Sequence, residues 1–213
     1  MKADIKYSNQ RVGIFVDVQN LYHSAKNLYH GRVNYTEMKK HLVGDRQLIR
    51  AMAYVVKSEG VEPQRASART DWNADRERTT PAIARSRATA VASERAEENA
   101  ELSSEASFFE ALEKAGFELR MKDIQIYAGG MKKADWDVGM AVDAIRMSSF
   151  LDVVILVTGD GDFIPLVDYL KWGAGRLVEV AAFHRSASSK LQEAADRFIN
   201  IEDIPRAIMK SRA

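Results

Sequence analysis

No cysteine occurs anywhere in the chain. That absence removes disulfides, thiolate zinc sites and cysteine nucleophiles together. A strong charge of one sign is missing too: 31 Lys and Arg face 30 Asp and Glu, leaving +1 at pH 7. No global basic field announces a nucleic acid, so any such partner has to be met by a local patch. No apolar run approaches the ~20 residues of a membrane span, and Met1 to Gln10 lacks an apolar signal core. A soluble, cytoplasmic protein without a membrane partner is the expectation. The four histidines (His23, His30, His41, His184) are scattered, no serine–histidine pairing stands out, and no internal repeat is present.

Lysine is absent from one long stretch, 62–106, although the chain has thirteen. The same stretch holds four large apolar residues (Trp72, Ile83, Val91, Leu102), against eleven alanines and seven arginines. A segment so poor in large apolar groups cannot bury a core of its own. We read it as an insertion, either disordered or an extended helical excursion that alanine content favours from about Ala82, that interrupts a single domain whose core is 10–61 and 107–202.

What is present is organised around Asp152 to Asp168. Val153 to Val157 is an unbroken apolar run, the pattern of a strand buried on both faces of a parallel sheet. Phe163, Leu166, Val167 and Leu170 then recur with helical spacing, with Asp162 as a cap and Pro165 in the first turn. Strand, acidic turn, helix is a unit whose carboxyl end faces the ligand crevice of open α/β sheets. The pattern recurs at Val12 to Asn20, where an apolar strand ends on Asp17 and a helix carrying Leu21, Ala25 and Leu28 follows. Asp17 taken alone serves equally well as a helix cap.

Further elements follow the same logic. Thr36, Lys39 and Lys40 mark a capped, exposed helical segment to Val43, and Leu48 to Val56 a strand. Phe108, Phe109, Leu112 and Ala115 form an amphipathic helix that Gly116 ends. Short strands are expected at Phe117 to Met121 and Ile124 to Tyr127. A helix then opens near Asp135 and Asp137, with Val138, Val142 and Ile145 as its apolar stripe. Asp137 shares a face with Ala141 and Ala144, whereas Asp143 lies about 120° around the helix. Arg176 to Phe183 is another strand, Ser186 to Lys190 leads into a helix, Phe198 to Ile201 is a last short strand, and a short helix is expected from Pro205. Strands alternating with helices in this way build an α/β three-layer sandwich on a mostly parallel sheet.

If the first and fourth long strands are neighbours, Asp17, Asp137, Asp160 and Asp162 converge on one crevice. Such crowded negative charge needs a cation, and oxygen ligands without His or Cys select Mg²⁺ or Mn²⁺ over zinc. A serine-capped helix start at Ser186 to Lys190 suits a plain cap, or an anion cradle with Arg185 and Lys190 beside it.

Three stretches carry a resemblance. Val12 to Asn20, Lys132 to Asp143 and Val157 to Phe163 resemble the three motifs of NYN domains, which are PIN-like nucleases, and Ser186 to Leu191 is similar to their LabA-like bacterial branch. The resemblance covers 10–61 and 107–202 and implies a Rossmann-like core with a metal-dependent ribonuclease site. By position it implies Asp17, Asp137, Asp160 and Asp162 as metal ligands, with Asn20 orienting a ligand or the scissile phosphate and Thr158 assisting. It further implies single-stranded RNA as partner, with 5′-phosphate and 3′-hydroxyl products. Lys26, Lys132, Lys133, Arg185, Ser186 and Lys190 are the candidates for substrate contact. Two other readings compete: a regulatory module of weak turnover that binds RNA, nucleotide or protein, and a small phosphohydrolase. Trp72, Trp136 and Trp172 could support a homodimer.

Overall fold

A computed structural model describes residues 7–57, 104–123, 125–126, 132–133 and 136–210, the side chains of 123, 125, 126, 132 and 133 excepted. The expected insertion, with Trp72, and Asp135 lie outside the described residues. The chain divides into two compact units, one of 1–57 with 111–213 and one of 58–110.

The larger unit is built on a six-stranded sheet in the order β4-β3-β1-β7-β8-β9. Its strands are β1 (Arg11–Asp17), β3 (Gln47–Lys57), β4 (Glu118–Asp123), β7 (Val153–Val157), β8 (Leu177–Ala182) and β9 (Arg197–Asn200), all paired in parallel. Strands β1 and β7 are central, and Val12, Ile14, Phe15, Val16 and every residue of β7 are buried. That explains their near-continuous apolar sequence. From β1 the chain turns to β3 on one side, and from β7 it turns to β8 on the other. The β1/β7 seam is therefore the switch point at which α/β sheets bind ligands.

Helices cover both faces. Met140 and Ala144 of α4 (Asp137–Ser148), Leu166 and Val167 of α5 (Ile164–Asp168) and Leu191 of α6 (Ser189–Ala194) join Phe15, Met52, Tyr54, Leu156 and Val180 in one core cluster. Strand side chains alternate between faces, so Ile14, Val16 and Ile155 fall on the opposite side. There Leu21 and Ala25 of α1 (Val18–Tyr29) and Met38 and Leu42 of α2 (Tyr35–Val43) are buried. Glu179 of β8 is also buried, where it accepts two 2.9 Å bonds from Arg46. A helix at 104–114 precedes β4; Leu112 and Ala115 are buried, and Gly116 ends it with φ +78.

Four expectations are corrected. Helix α2 is capped by Asn34, whose Oδ1 accepts from Glu37 N, and it buries Tyr35, Met38 and Leu42 where an exposed segment headed by Thr36 was expected. On α4 the supposed stripe is the solvent face: Val138, Val142 and Ile145 are 75%, 46% and 38% exposed. Met140, Asp143, Ala144 and Ser148 are buried instead. The helix after β7 is split into a 3₁₀ turn (Gly161–Phe163), α5, and a π turn (Tyr169–Gly173), and Asp160 caps the first of these, not Asp162. The tail from Pro205 makes a strand, β10 (Ile208–Lys210), antiparallel to β2 (Gly31–Val33). A two-residue ladder joins β5 (Gln125–Ile126) to β6 (Lys132–Lys133).

Candidate functional site

The site forms where β1 and β7 end side by side. Asp17 is the last residue of β1 and the N-cap of α1, and its Oδ1 accepts from Asn20 N at 3.1 Å. Its Oδ2 accepts from the hydroxyl of Thr158, the residue after β7, also at 3.1 Å. The same Thr158 oxygen accepts from Asp160 N at 3.2 Å, and Asp160 Oδ1 accepts from Asp162 N at 2.9 Å. One fully buried hydroxyl thus fixes two acidic loops against each other.

Asn20 completes the lock from the other side, its Oδ1 accepting from Gly159 N at 3.0 Å. A third loop, between β8 and α6, closes over Gly159: Ser188 N donates to Gly159 O at 2.9 Å. A Cβ on Gly159 would lie 3.0 Å from Ala187 Cα, so a glycine is needed there for the close approach of two backbones. Ser186 Oγ also meets Ser24 Oγ of α1 at 2.9 Å.

Burial pushes the Asp17 carboxyl above its usual range, against the hydrogen bonds from Asn20 and Thr158, and the nearby charge of Asp160 pushes the same way. Tyr35, buried beneath, has its phenol pushed up by burial and by the Asp17 charge. A carboxylate that is partly desolvated and faces a second one gains from a cation between them. All donors here are hard oxygens, which fits a divalent ion of the Mg²⁺ or Mn²⁺ class.

The expected residues are distributed unevenly around this notch. Asp17, Asn20, Thr158 and Asp160 are joined directly; Asp162 is attached through its backbone, and its side chain is exposed. Thr158 is fully buried, with its hydroxyl committed to Asp17 and Asp160, so it shapes the notch from beneath. Asp137 opens α4 one strand away. The preceding Trp136 donates its indole N–H to Val55 O at 2.8 Å and packs edge-on against Tyr54, the register partner of Asp17. Asp143 is not part of the site. It accepts from Tyr54 OH at 3.1 Å and pairs with Arg120 at 3.3 Å. Among the described residues, no three His, Asp or Glu side chains are gathered closely enough to hold one metal ion. Arg185, Ser186 and Lys190 occupy the β8–α6 segment and are exposed, and the side chains of Lys132 and Lys133 lie outside the described residues.

Tyr35 and the Trp136–Tyr54 pair escaped the sequence reading. Tyr35 follows the cap residue Asn34, a position that packing alone explains. Trp136 adjoins an acidic helix start, and that adjacency was the available signal.

The NYN domain family matches residues 11–202. The chain belongs to the NYN family. Its sheet and flanking helices are those of a PIN-like α/β sandwich, the nuclease superfamily to which NYN domains belong. No curated protein matches the chain. Among solved structures, a protein of unknown function from Vibrio parahaemolyticus aligns with this NYN domain at 25% identity and a TM-score of 0.69. That alignment covers 98% of this chain and 100% of the other. No helix among the described residues is long and apolar enough to cross a membrane.

Proposed function

We propose that this NYN-family chain is a ribonuclease of the LabA-like branch that hydrolyses single-stranded RNA with Mg²⁺ or Mn²⁺. The observation that carries the reading is the Asp17–Thr158–Asp160 linkage at the β1/β7 seam, where a desolvated carboxylate is held beside a second one. Asp17 and Asp160 would hold the ion directly, and Asp137 and Asp162 would act on it through its bound water. When bound, such an ion neutralises phosphodiester charge and lowers the pKa of its water. Thr158 keeps the two carboxylates at a set spacing without touching RNA. Asn20 fixes the Gly159 turn from one side and presents its amide N–H group to a phosphate oxygen. Arg185, Ser186 and Lys190, exposed on the β8–α6 segment, would with Lys132 and Lys133 position the strand without reading its sequence.

Hydrolysis forms a bond from water oxygen to phosphorus and breaks the bond to O3′, which takes up a proton. The products are a 5′-phosphate and a 3′-hydroxyl; a 2′,3′-cyclic phosphate in end-group analysis would overturn that assignment. The deciding experiment is cleavage of end-labelled single-stranded RNA by wild type and Asp160→Asn, with Mn²⁺, Mg²⁺ or EDTA. Metal-dependent cutting that disappears in the folded variant is the expected result. Equal cutting by both proteins would remove the site assignment. RNA binding without cutting by the wild type would assign a regulatory role instead.

A further inference from the structure

Two stretches flank the acidic notch, and neither carries an acid: no Asp or Glu occurs from 18 to 36 or from 180 to 192. In a chain with 30 acids in 213 residues, this leaves two cationic borders around a negative centre. Helix α1 leaves the notch at Asp17 and buries Val18, Leu21 and Ala25. Its outer face carries Gln19, Tyr22, His23 and Lys26, all exposed. These residues stand at i, i+3, i+4 and i+7, so they form one continuous strip.

Tyr22 is 45% exposed, and the core does not account for it. Its ring meets His23 edge-on at 5.5 Å, and Lys26 Nζ lies 5.8 Å from its centroid. The Ser24–Ser186 hydrogen bond holds the β8–α6 loop against the other flank of α1, about 160° around the helix from Tyr22, and leaves the Tyr22 face open. An open aromatic ring with a lysine beside it, little more than one helical turn from a notch of carboxylates, has the chemistry of a stacking platform for an unpaired base.

We propose that this face of α1 binds single-stranded RNA as it leaves the acidic notch, with Tyr22 stacking one base and Lys26 holding the adjoining phosphate. The inference rests on the ribonuclease reading and adds to it the strand's path and the residues that hold it. A notch that repels bare phosphate needs a cation beside it, and the strip supplies one. Every base offers a π-face, and phosphates carry no sequence, so the track itself has no base preference.

The test is a fluorescence anisotropy titration of a labelled single-stranded RNA, and of its duplex, against full-length Asp160→Asn protein in Mg²⁺. Adding Tyr22→Ala should weaken single-strand binding about ten-fold, the scale of one lost base–aromatic stack. Tyr22→Phe should bind like the parent, and duplex binding should not respond to either change. Lys26→Ala should lower the slope of log affinity on log salt by about 0.7. Parent-like binding by Tyr22→Ala and by Lys26→Ala would overturn the track, as would an equal loss on duplex. If wild type cuts RNA while these variants bind unchanged, only the track fails. If wild type neither cuts nor binds RNA, the ribonuclease reading fails as well.

Discussion

Asp17 does two jobs that pull against each other. As an N-cap it stabilises α1, yet its burial beside Asp160 makes its ionised form costly. A carboxyl whose folded pKa is raised contributes stability below its unfolded value, near 4, and that contribution is lost as pH rises through the higher folded value. In EDTA at neutral pH, Asp17→Asn should therefore melt above wild type, with the gap closing as pH falls toward about 4; thermal melts across that range check it. Mg²⁺ should raise the melting temperature of wild type and leave the variant almost unmoved. Asp17 and Asp160 were legible in the sequence because each ends a fully apolar strand. The role of Thr158 was not legible, since whether a hydroxyl touches substrate or braces carboxylates depends on its burial alone.

At the scale of elements, α4 shows how a sequence pattern misleads. Val138, Val142 and Ile145 have ideal helical spacing, and so do Met140, Ala144 and Met147. The aspartate at 143 seems to disqualify the second face. Burial of Asp143 is tolerable because Tyr54 and Arg120 neutralise it, and those partners come from strands far along the chain. The tail was misread for the same reason: β10 exists only because β2 offers it an edge. The start of α4 is held by one indole bond to Val55. Trp136→Phe keeps most of the ring and removes that bond, at a cost of about 1 kcal/mol. Calorimetry should show a fall in melting temperature of about 2–4 °C. If Asp137 contributes to the ion site, Mn²⁺ affinity measured by titration should fall in the same variant.

Over the whole molecule, the parallel sheet and its switch point were legible, because five apolar runs alternating with helical patterns leave few other arrangements. Which strands adjoin was not, since pairing order depends on helices crossing the sheet. The Arg46–Glu179 pair also had no signal: its members are 133 residues apart and are joined only by folding. It lies on the α1/α2 side of the sheet, buried, so removing one charge strands the other. Glu179→Gln should cost about 3–5 kcal/mol, read as a lowered denaturant midpoint, with the metal response of the remaining folded protein intact.

The order of strands has a further consequence during synthesis. The central strand β1 is made well before one of its two neighbours, β7, which follows 141 residues later. Until then the nascent chain can pair β1 only with β3, leaving a flat, apolar strand edge uncovered on the ribosome. Parallel pairing at such separation is slow, so the emerging polypeptide needs shielding over that interval. The acidic notch cannot exist before its second half is translated, so any activity that depends on the notch waits until β7 and the loop after it have emerged.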